Sequence, residues 1–154
     1  MPQDAPDLPC LCTALRRASR SVTAAYDEAL RPAGLRVTQF GLLRTLARTG
    51  PVAVTRLAAE TDLDRSTMGR NLDPLERRGL VRLSVGRRDQ RERVAALTEA
   101  GEAAIAAALP HWRAIQARLA EGRAATLADQ AAAIAAEAAA LAAQAQASAA
   151  PDQS

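Results

Sequence analysis

Residues 57–81 read LAAETDLDRSTMGRNLDPLERRGLV, and their punctuation decides the fold. The apolar positions Leu57, Ala58, Leu63, Met68, Leu72 and Leu75 recur at helical spacing on both sides of the short polar TDLD. Thr55 is placed to cap a first helix through Glu60. Asp64 is placed to cap a second that runs to Arg78 and stops at Gly79. Two short helices joined by a tight polar turn form a helix-turn-helix, and the small Ala58 lets them approach closely. Gly69 and Pro74 are unusual guests in the second helix, disfavoured there by roughly 1 and ~3 kcal/mol against Ala. A bend is expected near Pro74.

Outward from this unit, LVRLSV (80–85) and RVAAL (93–97) are short apolar-rich runs around GRRDQRE (86–92). They predict a β-hairpin with a basic tip, and a hairpin directly after a helix-turn-helix is a wing. Upstream, Thr38 is placed to cap a helix over QFGLLRTLART, which Gly50-Pro51 ends. Before it, Leu11, Leu15, Ala18, Val22, Ala25 and Ala29 predict a helix from Cys10 to about Pro32, with Gly34 as its stop. Downstream, Thr98 opens a helix whose large residues Ile105, Leu109, Trp112, Ile115 and Leu119 continue past Pro110, so the proline should kink it rather than end it. A last Ala-rich helix is expected from about Ala124 to Ala147, with Leu127, Ile134 and Leu141 spaced by seven.

The expected fold is therefore mostly α with a small β-wing. A winged helix-turn-helix covers 36–98, and helical regions at 9–35 and 99–148 flank it. Residues 1–8 and 149–154 are expected to be disordered. The flanking helices carry narrow apolar stripes, and the whole chain of 154 residues has one Phe, one Trp and one Tyr. Ala contributes little burial per residue, so these helices are expected to find their missing bulk in a second copy, as a homodimer. No segment combines the length and apolarity of a membrane span, and the N-terminus lacks a secretory pattern. A cytoplasmic protein without membrane contact is expected.

All 20 basic residues are Arg. From Arg36 to Thr98 there are thirteen Arg against seven Asp and Glu, a net +6, while the chain after Arg123 carries three acids and no base. A basic centre between less basic ends points to a polyanion such as double-stranded DNA. A recognition helix reads base edges with short polar and Arg side chains from its first turns. Here those are Arg65, Ser66, Thr67, Arg70 and Asn71. Arg pairs bidentately with guanine and Asn with adenine; a salt bridge from Arg70 to the wing is the alternative for that residue. At the wing tip, Arg87 and Arg88 suit phosphate contact, and one of the tip arginines, Arg91 included, suits the minor groove.

The cysteines, Cys10 and Cys12, stand together in PCLC (9–12). A stable metal site needs about four ligands, and His111 is the lone histidine, far along the chain. No metal or cofactor is expected. A helix start favours thiolate, and Arg16 lies one turn after Cys12 on its face. Redox sensing and plain packing of small apolar side chains both remain open. A thiol-dependent enzyme at Cys12 would want a companion histidine nearby, so no enzymatic activity is expected.

Three pieces of this chain resemble the MarR family of bacterial transcriptional regulators: GLRVTQFGLLRTLA, the helix-turn-helix above, and DQRERVAALTEAG. The last resembles the family's wing signature of Asp-x-Arg and Leu-Thr-x-x-Gly, at Asp89, Arg91, Leu97, Thr98 and Gly101. The resemblance implies a homodimer held by its terminal helices, with two winged lobes on a palindromic operator. It implies a repressor in most cases, released by a small aromatic or phenolic effector or by cysteine oxidation. It makes Arg91, held by Asp89, the minor-groove residue. Similar sequences often have an apolar residue at Asn71, which would turn that side chain inward. The organic-hydroperoxide-sensing branch of the family has a sensor cysteine in a Cys-x-x-Leu context with a tyrosine fourteen residues later, a pattern that Cys12 and Tyr26 match. That branch's further tyrosines are replaced here by Val37, Phe40 and Arg16.

Overall fold

The computed structural model describes residues 10–86, 92–121 and 124–149. In chain order they form α1 (Leu11–Leu30), a 3-10 turn (Arg31–Ala33), α2 (Val37–Thr49), β1 (Val52–Ala53), α3 (Val54–Glu60), α4 (Arg65–Arg77), β2 (Val81–Val85), β3 (Arg93–Leu97), α5 (Glu99–Ala120) and α6 (Ala124–Ala149). This is the mostly helical winged architecture that the residue spacing predicts. The segments expected to be disordered, 1–8 and 149–154, lie outside the described residues apart from Ala149, which closes α6.

Two expected caps are not caps. Thr38 and Thr55 both lie inside helices. α2 starts two residues early because Asp27 of α1 reaches across to accept the Val37 N–H at 2.8 Å, while the Gln39 side chain accepts the Arg36 N–H at 3.0 Å. α3 follows β1 without a loop, so Ala53 takes the cap position and Thr55 falls in the first turn. Asp64 does cap α4: its carboxylate accepts the Thr67 N–H at 2.9 Å. Ahead of it, Asp62 carries a positive φ of 52°, a conformation Asp tolerates better than most side chains. Pro74 and Pro110 are accommodated inside α4 and α5, neither of which ends there.

The wing strands β2 and β3 pair antiparallel from Val81↔Leu97 to Val85↔Arg93, and the Gly86 N–H closes on the Glu92 carbonyl at 2.8 Å. The two-residue β1 adds a third strand on the other side of β3, giving the order β1-β3-β2.

The chain divides into two compact units, Met1–Ile115 and Gln116–Ser154. The first holds the core. Phe40, Leu43 and Leu46 of α2, Leu57 of α3, and Met68, Leu72 and Leu75 of α4 are all essentially inaccessible, with Leu30, Val81, Ala95 and Ala108 beside them. This is Leu-based packing around one aromatic ring. α5 is pinned at its start. The Thr98 hydroxyl donates to the Gly79 carbonyl at 2.6 Å and accepts the Gly101 N–H at 3.1 Å. α1 behaves differently: of its 20 residues only Leu30 is buried, and Leu11, Leu15 and Val22 stand exposed. In the second unit, Leu127 and Leu141 of α6 are exposed as well, at 56% and 67%.

Candidate nucleic-acid interface

The first turns of α4 present the polar side chains expected of a recognition helix. Arg65, Ser66 and Arg70 are exposed, and Thr67 is half-buried. Thr67 and Arg70 are tied together from the cap. Thr67 Oγ1 donates to Asp64 Oδ2 at 2.6 Å and accepts from Arg70 Nη2 at 3.2 Å. Arg70 is thereby laid along the strip that carries Ser66 and Thr67. The hydroxyl and backbone of Thr67 hold the Asp64 carboxyl below its ordinary value, with a smaller contribution from Arg70. A depressed carboxyl stabilises the fold above its unfolded-state value and loses that contribution as pH falls through the folded one. The cap is accordingly intact at neutral pH.

Asn71 is placed differently. It is half-buried, and its amide donates to the Thr67 carbonyl at 2.9 Å within its own helix. The wing-tip candidates Arg87, Arg88, Asp89 and Arg91 lie outside the described residues.

A second feature has no local signature in the sequence. Between α2 and α5 lies a 330 Å³ cleft whose walls include Phe40, Arg44, Thr45, Arg48 and Trp112. The Phe40 and Trp112 rings sit 6.0 Å apart at 42°. The Arg44 guanidinium lies over both, 4.8 Å from the Trp112 centroid and 5.7 Å from that of Phe40, in cation–π range. Aromatic walls with a fixed cation suit a flat, apolar, anionic molecule. The spacing of Phe40 and Arg44 puts them on one helix face, but their pairing with Trp112 spans too much sequence for local patterns to reveal.

The thiol group is only partly assembled. Cys10 and Cys12 are exposed, Arg16 is exposed, and Tyr26 is half-buried, with burial raising its phenol pKa. Along one helix, fourteen residues separate Cys12 from Tyr26 by roughly 21 Å, so the two cannot meet within one chain. Cys10 rather than Cys12 has the distinctive setting. It occupies the cap position of α1, and although no capping hydrogen bond closes there, the adjacent backbone and hydroxyl of Thr13 hold its thiol below the usual value. Cys10 also borders a shallow groove with Arg17, one turn beyond Thr13. Among the described residues no group of three or more His, Cys, Asp or Glu could hold a metal ion, and no helix is long and apolar enough to cross a membrane.

The comparisons with known proteins fall in line with this geometry. The MarR family model matches residues 33–92, the stretch from the α1–α2 turn into the wing. The Mycobacterium tuberculosis transcriptional regulator MosR, solved in complex with DNA, is 38% identical and superposes with a TM-score of 0.76, covering 85% of this chain and 96% of MosR. The HTH-type transcriptional repressor NicR of Pseudomonas putida is 33% identical over 101 residues, 66% of this chain; the match spans 64% of NicR's length. CouR of Rhodococcus jostii, solved bound to p-coumaroyl-CoA, is 29% identical with a TM-score of 0.66, covering 81% of this chain and 88% of CouR.

Proposed function

This chain belongs to the MarR family, and from that premise we propose that it is a sequence-specific DNA-binding transcriptional regulator, a repressor released by a small aromatic acid. The observation that carries the reading is the capped start of α4, where Arg65, Ser66 and Arg70 are exposed and Thr67 ties Arg70 to the Asp64 cap, on a lobe that continues into a hairpin of basic sequence. The first turns of a helix in the major groove are where base contacts are made. The exposed Leu11, Leu15 and Val22 of α1, and Leu127 and Leu141 of α6, support a homodimer, which would match a palindromic operator in the cytoplasm. The Phe40–Arg44–Trp112 cleft supports the effector class: a ring between aromatic walls and a carboxylate against the guanidinium. DNA from upstream of the gene is expected to shift in a gel at low salt and to be released by a planar aromatic carboxylate such as salicylate. Trp112 is the chain's single tryptophan, so the same titration is expected to change its fluorescence directly. A fluorescence change that persists unaltered in Arg44→Ala would count against this cleft as the effector site.

The exposure of both thiols at the start of α1, with Cys10 at the cap position on a groove that Arg17 also lines, favours a second reading, a repressor that senses organic hydroperoxides at its first helix. A thiolate there attacks the peroxide. The S–O bond forms as the O–O bond breaks, the leaving alkoxide takes a proton from water, and a sulfenic acid remains. Cys12 is the candidate by resemblance, and Cys10 by its environment. Cumene hydroperoxide is expected to release DNA from the wild-type chain and from Cys12→Ser, but not from Cys10→Ser. Loss of release in Cys12→Ser alone would return the role to Cys12. Unchanged release in both variants would make the cysteines structural.

A further inference from the structure

β2 lies at the edge of the sheet, with β3 on one side and, among the described residues, no strand on the other. Because Gly86 N–H turns inward to Glu92, the alternation along β2 turns the N–H of Leu83 outward, to the open edge. That amide is not left to solvent. Glu76, the penultimate residue of α4, accepts it on Oε1 at 3.3 Å, and its other oxygen, Oε2, lies 3.9 Å from Arg93 Nη2 on β3. A single carboxylate therefore joins the recognition helix to both strands of the hairpin where the hairpin leaves the lobe. Among the described residues, no other side-chain hydrogen bond links α4 to β2 or β3.

From this we infer that Glu76 is a positioning residue for DNA binding, one that sets the angle of the wing to the recognition helix. The inference rests on the DNA-binding reading above and adds a residue that touches no DNA. A winged lobe must place its helix and its hairpin on the duplex together, so an error in the angle between them is an error in register for one of the two. Apolar packing of α4 on the hairpin fixes their distance but is non-directional. A hydrogen bond to an edge amide, halfway along β2, is directional. The ion pair with Arg93 adds little, since both side chains are about half exposed and the separation is long. The bond to Leu83 carries the geometry.

The variants that separate these contributions are Glu76→Gln, Glu76→Asp and Glu76→Ala in the full chain. Gln keeps an acceptor at the same reach without charge. Asp keeps the charge but withdraws it by one methylene, out of reach of Leu83. Binding to the upstream DNA is followed by fluorescence anisotropy across a salt titration, with exchange of the Leu83 amide measured on the free protein. The expected result is affinity near wild type for Gln, and about a tenfold loss with a flatter salt dependence for Asp and Ala, because the hairpin no longer delivers its phosphate contacts. Leu83 should exchange faster in Asp and Ala only. If Ala fails to fold, the comparison of Gln with Asp decides. Equal affinity in all variants despite faster exchange at Leu83 overturns the inference, and so does a Gln variant as weak as Asp or Ala. Failure of the wild-type chain itself to bind DNA would sink the DNA-binding reading, and this inference with it, before any variant is compared.

Discussion

Gly101→Ala is expected to destabilise the chain by about 2–3 kcal/mol, although the substitution puts a better helix former into the first turn of α5. A Cβ at Gly101 would lie 2.2 Å from the Leu80 carbonyl oxygen and 2.6 Å from Leu97 Cδ1. The first of these is backbone and cannot swing aside. It is also committed: the Leu80 carbonyl accepts the Thr98 N–H at 3.2 Å, and the neighbouring Gly79 carbonyl accepts the Thr98 hydroxyl. Relief requires α5 to lift from the end of the hairpin, which breaks the contacts that pin it. The Leu-Thr-x-x-Gly pattern thus has a mechanical basis, with Thr to tie the helix down and Gly to let it sit there. Gly69→Ala is the paired control. Its Cβ would meet nothing within 4 Å, so only helix propensity acts, and stability should rise by roughly 0.5–1 kcal/mol. Urea unfolding reads both, and shifts of the same sign would refute the argument.

The parts of the fold legible in the sequence are those written in local chemistry. Asp64 before an apolar-periodic run, Gly79 after it, and two β-rich runs around a basic turn each state their role within a few residues. What escaped depends on distant partners. Asp27 caps α2 from ten residues upstream, which displaced Thr38 from the role its position suggested. β1 is two residues long and leaves no periodic trace, yet it fixes where α3 begins and so moves Thr55 into the helix. The site shows the same division. The exposure of Arg65, Ser66 and Arg70 was legible because the apolar spacing of Met68, Leu72 and Leu75 puts those positions away from the core. The Phe40–Arg44–Trp112 cleft and the Glu76–Leu83 tie were not, because each is made between elements. The thiols show a third case: matching the spacing of Cys12 and Tyr26 revealed a likeness, while helix geometry puts the two residues far apart in one chain.

Arg70→Ala is expected to weaken binding to the operator by roughly 10- to 100-fold, while Asn71→Ala leaves it nearly unchanged. From residue type alone the two are equals, since Arg reads guanine and Asn reads adenine. The structure separates them by where their donors go. The Asn71 amide is spent on the Thr67 carbonyl, one turn back in its own helix, and the side chain is half-buried. Turning it to a base would give up that bond. Arg70 spends one nitrogen on Thr67 Oγ1 and leaves the rest of its guanidinium free, on an exposed strip already oriented by the Asp64 cap. A partly tethered Arg loses less conformational freedom on binding than a free one, so more of its contact energy appears as affinity. Arg65 is exposed at the first helical position, where helix starts meet phosphate, and makes no ion pair among the described residues. Arg65→Ala should therefore reduce the slope of affinity against salt by about one and weaken all sequences alike, whereas Arg70→Ala should relax the choice of base at one position. Titrations of operator and scrambled DNA at several salt concentrations distinguish the two signatures. If Asn71→Ala proves as damaging as Arg70→Ala at unchanged helix content, Asn71 leaves its intrahelical bond to read DNA, and the division of labour drawn from these hydrogen bonds is wrong.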